Sequence, residues 1–484
     1  MTQVNTPYPS TSYLTAYLKA KGFEVEQRDW SLLLFLKLFS AQGLERIFQA
    51  LPAKSDSNSV IFFKEAFDDY KKTIDPIIHF LQGNNNTLAL RISTRMFVPE
   101  GPRFLPLLDH QNLLSGFGEL GTQDRAKYIA SLYLDDIADV IKAAIDPNFE
   151  MSRYGEKLAS SEISFQPLFD KIEGGLSHAP KSSSHAPTKS ADQKNKATLV
   201  DIMLNEIVED ELKSNPFDVV GLTVPFPGNM IGALQIAKFA KKINPKIKIV
   251  MGGGFVNTEL RELSDPRIFK YIDFLTYDDG ERPLELLFNH LADKNPLRNA
   301  PLLRTKFLSE SGDVVYQSNS SLQDVPFKLL PTPTQEGLPL SKYVSMLELP
   351  NPMHRMWSDF RWNKLILAHG CYWRKCTFCD VNLDYINRFE PARVDDVVDH
   401  MVQLAKESGS TGFHFVDEAA PPALLKALSI KLIERKLSFT WWGNLRFDKQ
   451  FTPELAQLMA DAGCVAVTGG LEVASPRLLS LINK

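Results

Sequence analysis

At 484 residues the chain is long enough for roughly two to four domains, and with 44% hydrophobic and 23% charged residues it has the composition of a packed globular protein. A net charge of −4 removes the electrostatic case for an obligate nucleic-acid partner, and four cysteines in this length do not make a disulfide framework. No charged-then-apolar leader opens the sequence, and the apolar run Leu32-Leu33-Leu34-Phe35-Leu36 is far too short to cross a bilayer, so a cytoplasmic protein with no membrane partner is expected.

In chain order, residues 1–30 read as loop, helix, strand. Pro7 and Pro9 mark the loop, Tyr13, Leu14, Tyr17 and Leu18 share a helical face, Gly22 stops it, and Phe23–Gln27 alternates like a strand. Residues 31–173 keep helical periodicity, as in Tyr128, Ile129, Leu132, Tyr133, Ile137, Val140 and Ile141, with no ligand cluster; a helical insertion with a packing role is expected. Residues 174–197 are rich in Ser, Pro, Lys and Ala and repeat Ser-His-Ala-Pro at Ser177 and Ser184. Such a composition buries too little apolar surface to order itself, so the stretch reads as a flexible linker and its two histidines as solvated.

Over residues 198–299 the pattern becomes strand, helix, strand. Asp218–Val224 is an apolar strand closed by Pro225, Met230–Ile243 an amphipathic helix, Lys246–Met251 a strand running into Gly252-Gly253-Gly254, and Tyr271–Tyr277 a strand followed by Asp278-Asp279-Gly280-Glu281. This spacing predicts a Rossmann-like, doubly wound parallel sheet, whose ligands lie beyond the carboxyl ends of the strands. Residues 300–361, with Pro326, Pro331, Pro333 and Pro339 among mixed polar strands, read as a connector. Met353, Met356 and Trp357 either cover a pocket or fill a core.

Residues 362–484 return to regular β/α alternation. Leu365–Ala368 predicts a buried strand, and the loop leaving it carries three of the four cysteines within nine residues: Cys371, Cys376 and Cys379. Three thiolates can hold three irons of a 4Fe-4S cube and leave the fourth open. A structural zinc site wants four ligands, and His369, at the strand end, is the one nearby candidate for the fourth. Strands are predicted at 412–418, 438–443 and 464–469 with helices at 394–406, 424–436 and from Thr452, whose N-cap precedes Pro453. In such parallel arrangements functional groups gather at strand C-termini. Asp417, Glu418, Asn444, Arg446 and Glu472 fall on that rim; the plainer role for the first two is a carboxylate facing a helix N-terminus. Cys464 reads as a small core residue.

The cysteine loop Gly370–Asp380 resembles the cluster loop of radical S-adenosylmethionine enzymes, with Phe378 before the last cysteine, although four residues rather than three separate Cys371 from Cys376. The strand ending near Thr223, the Gly252-Gly253 turn and the Asp-Gly-Glu run at Asp279 resemble the cobalamin-binding module of the same enzymes, without its Asp-x-His-x-x-Gly signature. The resemblance implies a cobalamin-binding-like domain in two parts (1–30 and 198–299) around the insertion, followed by a partial (β/α) radical SAM barrel over 362–484. It further implies reductive cleavage of S-adenosylmethionine to methionine and a 5′-deoxyadenosyl radical, with methyl transfer to a small-molecule or peptide substrate as the commonest outcome. An electron donor such as flavodoxin or ferredoxin would feed the cluster. Implied contacts to S-adenosylmethionine are Phe378, Asp417, Glu418, Arg446 and Glu472, and to cobalamin Thr223, Gly252 and Gly253. Family members usually build six β/α units on this barrel, and a first strand precedes the proline-rich loop; the sequence therefore reads as a fragment, or as a chain whose open sheet edge the insertion or a second chain covers. The alternatives are a corrinoid- or redox-sensing binding protein with a non-catalytic cluster, and a zinc-stabilised scaffold.

Overall fold

The computed structural model describes residues 4–109, 121–151, 164–174, 197–292, 301–319, 321–347, 352–358 and 361–484. The predicted linker lies almost wholly outside the described residues.

Two sheets carry the architecture. In the first, β1 (Val219–Thr223), β2 (Lys248–Gly252) and β3 (Phe274–Thr276) run parallel, and β4 (Thr305–Leu308) and β5 (Val314–Gln317) extend it antiparallel in the order β1-β2-β3-β4-β5. Strand β2 is apolar on both sides for a period-two reason. Ile249 and Met251 enter the core beneath the Met230–Ile243 helix, while Val250 enters the opposite core with Tyr17, Leu18, Leu284 and Leu287 from the Pro9–Ala20 and Glu281–Leu291 helices. Helices cover both faces of a parallel core, as expected, but the strands follow one another in the order β1-β2-β3 without the reversal of a doubly wound sheet.

The second half comprises β6 (Asn363–Leu365), β7 (Ala368–His369), β8 (Glu390–Pro391), β9 (Gly412–Phe415), β10 (Thr440–Asn444) and β11 (Cys464–Thr468). Strands β6, β9, β10 and β11 form a parallel four-stranded sheet in the order β11-β10-β9-β6, and β7 pairs with β8 antiparallel. Phe413, Phe415 and Trp441 face the helices, packing with Val397, Val398, Met401, Leu425 and Leu428. On the other face His414 stacks on Trp442 with ring centroids 3.7 Å apart, and Trp357 and Trp362 pack on the same indole. Trp357 therefore belongs to this aromatic face and not to a pocket lid.

Between Trp30 and Ala144 the described residues are helices and short connections around one core that includes Phe35, Leu38, Ile47, Phe63, Ile74, Tyr133 and Ile137. The Leu199–Ser214 helix joins this block to the first sheet: Met203, Leu204 and Ile207 enter the helical core, Val208 and Leu212 the sheet core. A capping box, Thr198 with Asp201, starts it by satisfying two otherwise orphaned amide donors.

Three further expectations change. Phe23–Gln27 joins no strand ladder among the described residues; it lies across from β1 on a cavity lined by every residue of 23–29 and of 215–223. The expected connector contributes β4 and β5 to the first sheet; the sequence predicts strands there, but four-residue runs do not announce which sheet they join. The predicted strand Leu365–Ala368 is broken at Ile366-Leu367, where a side chain replaces the ladder partner: the Asp417 carboxylate accepts from the Leu367 amide (2.9 and 3.0 Å) and the Ala368 amide (2.8 Å).

Candidate active site between the two sheets

Both parallel sheets aim their carboxyl ends into one cavity of about 1720 Å³, larger than the roughly 300–1,000 Å³ that suits a drug-sized ligand. Thr223, Gly252–Gly254, Thr276 and Asp278–Glu281 line it from the first sheet, and Ile366, Ala368–Gly370 and Val416–Glu418 from the second. The Pro9–Ala20 helix spans the gap. Ser10 Oγ lies 3.0 Å from Thr223 Oγ1, and the Tyr13 hydroxyl accepts from the Ile366 amide at 3.1 Å.

On the first sheet, Thr223 and Gly252 are register partners at the ends of β1 and β2. Gly253 has φ +110°, and a Cβ there would meet Val224 backbone atoms at 2.8–2.9 Å, so the turn needs glycine to close over β1. The result is a side-chain-free ledge at the cavity wall, wide enough in its surroundings for a bulky planar ligand.

On the second sheet, Gly370 (φ +74°) opens the cysteine loop; a Cβ would stand 2.0 Å from the Arg388 carbonyl oxygen. The Cys371 amide donates to Ile386 O at 3.2 Å and the Cys379 amide to Cys376 O at 3.3 Å. All three thiols are free and half-buried. Burial, then the neighbouring Cys376 and Cys371 sulfurs, push the Cys379 thiol above its ordinary value. Three free thiols on one loop are a donor set of the kind that fits an iron–sulfur cube, and His369 does not complete a zinc tetrahedron because its ring is engaged with Asp279 (3.4 Å) and Asp384 (3.3 Å).

The rim residues separate on inspection. Asp417 is buried, its oxygens taken by the Leu367 and Ala368 amides, and burial raises its pKa to about 7. Glu418 lines the cavity with an open carboxylate, whose pKa is raised by the low-dielectric surroundings. Arg446 is turned away: its guanidinium lies 3.7 Å from the centroid of the Trp373 ring and donates to Asp448 at 2.8 Å, and Asp448 accepts from the Tyr372 hydroxyl at 3.0 Å. Arg446 thus braces the cysteine loop. Glu472 is exposed and paired with Lys484 at 2.8 Å, and Phe378 is 52% exposed with Lys484 over its ring. Neither lines the cavity.

Sequence reasoning missed the charged group at the cavity mouth formed by Asp279, His369, Asp384 and Arg388, contributed by segments about ninety residues apart. The Asp-Gly-Glu run was visible; its partners were not. Glu281 beside it is buried, and burial with the nearby Asp279 raises its pKa to about 7.

Comparison with known proteins agrees with the first half of this site. Residues 191–288, which take in β1 to β3 and the glycine turn, match the B12 binding domain family. A protein of Pyrococcus horikoshii described as an uncharacterized methyltransferase is 27% identical over 293 residues, 59% of this chain and 58% of the relative. The chain thus spans less than two thirds of that relative's length. Among solved structures, the apo, selenomethionine-labelled form of the cobalamin-dependent S-adenosylmethionine radical enzyme OxsB is similar with a TM-score of 0.43 and 20% identity, covering 58% of this chain and 39% of that one.

Proposed function

We propose that the chain is a radical S-adenosylmethionine enzyme that works with a corrinoid, with methyl transfer as its reaction class and a small molecule or peptide as its substrate. The observation that carries this reading is a set of three free thiols on one loop, which leaves the cavity wall at Gly370, opposite the segment that matches a B12 binding domain. A cluster held there would supply single electrons to S-adenosylmethionine, and the corrinoid would supply a methyl carrier.

The chain's own contributions follow from its residues. Cys371, Cys376 and Cys379 would hold three irons. Glu418, the open carboxylate of the second sheet's rim, suits the methionine ammonium better than Asp417, whose lone pairs serve the backbone. Asp417 would keep the strand end, and so the start of the cysteine loop, in place. Thr223, Gly252 and Gly253 would seat the macrocycle. The enclosing walls, from the Pro9–Ala20 helix and both sheet ends, would keep water away from reactive species. A one-electron donor of the flavodoxin or ferredoxin kind would dock near the exposed face of the cysteine loop.

The test is anaerobic reconstitution with iron and sulfide followed by dithionite and S-adenosylmethionine. The wild type should release 5′-deoxyadenosine and Cys376→Ala should not. Equal, background-level release from both would overturn the reading.

A further inference from the structure

The charged residues at the cavity mouth do more than neutralise one another. Asp279 follows β3 in the first half, His369 ends β7 in the second, and Asp384 and Arg388 lie on the helical turn after the cysteines. Arg388 reaches across to Asp279, bonds Asp384 at 3.2 Å and Glu390 at 3.1 Å, and lies 3.2 Å from His369 Nε2. His369 Nδ1 faces Asp279 at 3.4 Å and Nε2 faces Asp384 at 3.3 Å. The carboxylates surround the guanidinium, so Arg388 already fills the place a metal cation would take. Glu390 extends the set by accepting from the Phe327 amide at 2.7 Å.

The backbone beneath Arg388 is tied just as closely to the cysteine loop. The Cys371 amide donates to Ile386 O, Arg374 Nη1 donates to Asn387 O at 2.8 Å, and the Arg388 carbonyl leaves room for no side chain at residue 370. One short turn therefore holds Cys371 through its carbonyls and the β3 loop through its guanidinium.

We infer that Asp279, His369, Asp384 and Arg388 form a clasp that sets the spacing between the cysteine loop and the cofactor-facing end of the first sheet. They are positioning residues, and their role in the reaction rests on the function proposed above. Two reactive groups on separate sheets need a fixed separation, since a misplacement of about 1 Å can cost on the order of a hundredfold in rate. Arg388 is suited to this because its planar fork engages several carboxylates at once, which the single ammonium of lysine does not reproduce.

The test uses the full chain with Arg388→Met and Arg388→Lys. Amide exchange is read first, without cofactors. Arg388→Met should speed exchange at least about tenfold in both 278–281 and 369–376, with Arg388→Lys between it and wild type. A rise confined to 384–391 overturns the clasp. On protein carrying reduced cluster and cob(II)alamin, the faster spin relaxation that the cluster imposes on the cobalt signal should be present in wild type, lost in Arg388→Met and partly restored in Arg388→Lys. Wild-type relaxation in the Met variant also overturns it. Should the wild type hold neither cofactor, the proposed function fails by itself, and the two-loop exchange pattern still decides the clasp.

Discussion

Asp417→Ala isolates how the cysteine loop is supported. The carboxylate is 3% exposed and is the acceptor for the Leu367 and Ala368 amides, which are themselves 0% and 3% exposed by residue. A buried donor left without a partner costs about 1–3 kcal/mol, so two orphaned amides put the loss at about 2–6 kcal/mol. Burial penalises the ionised carboxylate, raising its pKa to about 7, and alanine removes that penalty, which moves the expectation to the low end at neutral pH. About 2 kcal/mol corresponds to roughly thirtyfold faster opening. The assay is amide exchange of residues 366–371 on the intact chain. The sign with pH follows from the raised pKa: the stabilisation is fully present below the ordinary carboxylate value of about 4 and is lost as pH rises through about 7. The variant's deficit should therefore be larger at pH 5 than at pH 8, and Asp417→Asn should flatten that dependence. Exchange at 366–369 that matches wild type at pH 5 would refute the reasoning.

The other expectations are more local. Gly253→Ala should destabilise the first sheet by about 2 kcal/mol or more, because the residue is held at positive φ against Val224, and equilibrium dialysis should show corrinoid binding falling with it. Arg446→Lys should speed exchange over 372–377 while leaving affinity for S-adenosylmethionine within about threefold, since its partners are Trp373 and Asp448; a large loss of affinity with unchanged exchange would make it a cofactor contact. His414, whose pKa burial and then Lys364 lower to about 3, should show no titration of its ring resonances between pH 5 and 8, and the stability of its face should fall only as pH drops below about 6.5.

Much of this was legible in the sequence where a residue's role is local. The Met230–Ile243 helix has its predicted bounds, Thr452 caps the helix that Pro453 opens, and Gly463 (φ +90°) closes it against the Phe439 carbonyl. Runs such as Ile249-Val250-Met251 announce a strand buried on both faces. What failed was whatever depends on a partner. Phe23–Gln27 has a strand's alternation but no ladder, and alternation alone does not supply hydrogen bonds. Asp417 and Arg446 stand at a rim position typical of cofactor contacts, yet Asp417 accepts from the strand-end amides and Arg446 packs on the Trp373 ring and donates to Asp448. The Asp279–Arg388 contact joins residues 109 apart in sequence, beyond the reach of any spacing rule.

The central claim is that three sulfurs of one loop hold an iron–sulfur cube with one iron left for S-adenosylmethionine. The most direct measurement is the electron paramagnetic resonance spectrum of anaerobically purified, dithionite-reduced protein with and without S-adenosylmethionine. The account predicts a 4Fe-4S signal whose g-values shift when S-adenosylmethionine is added. A colourless protein in which Cys371, Cys376 and Cys379 all react freely with a thiol reagent would contradict it.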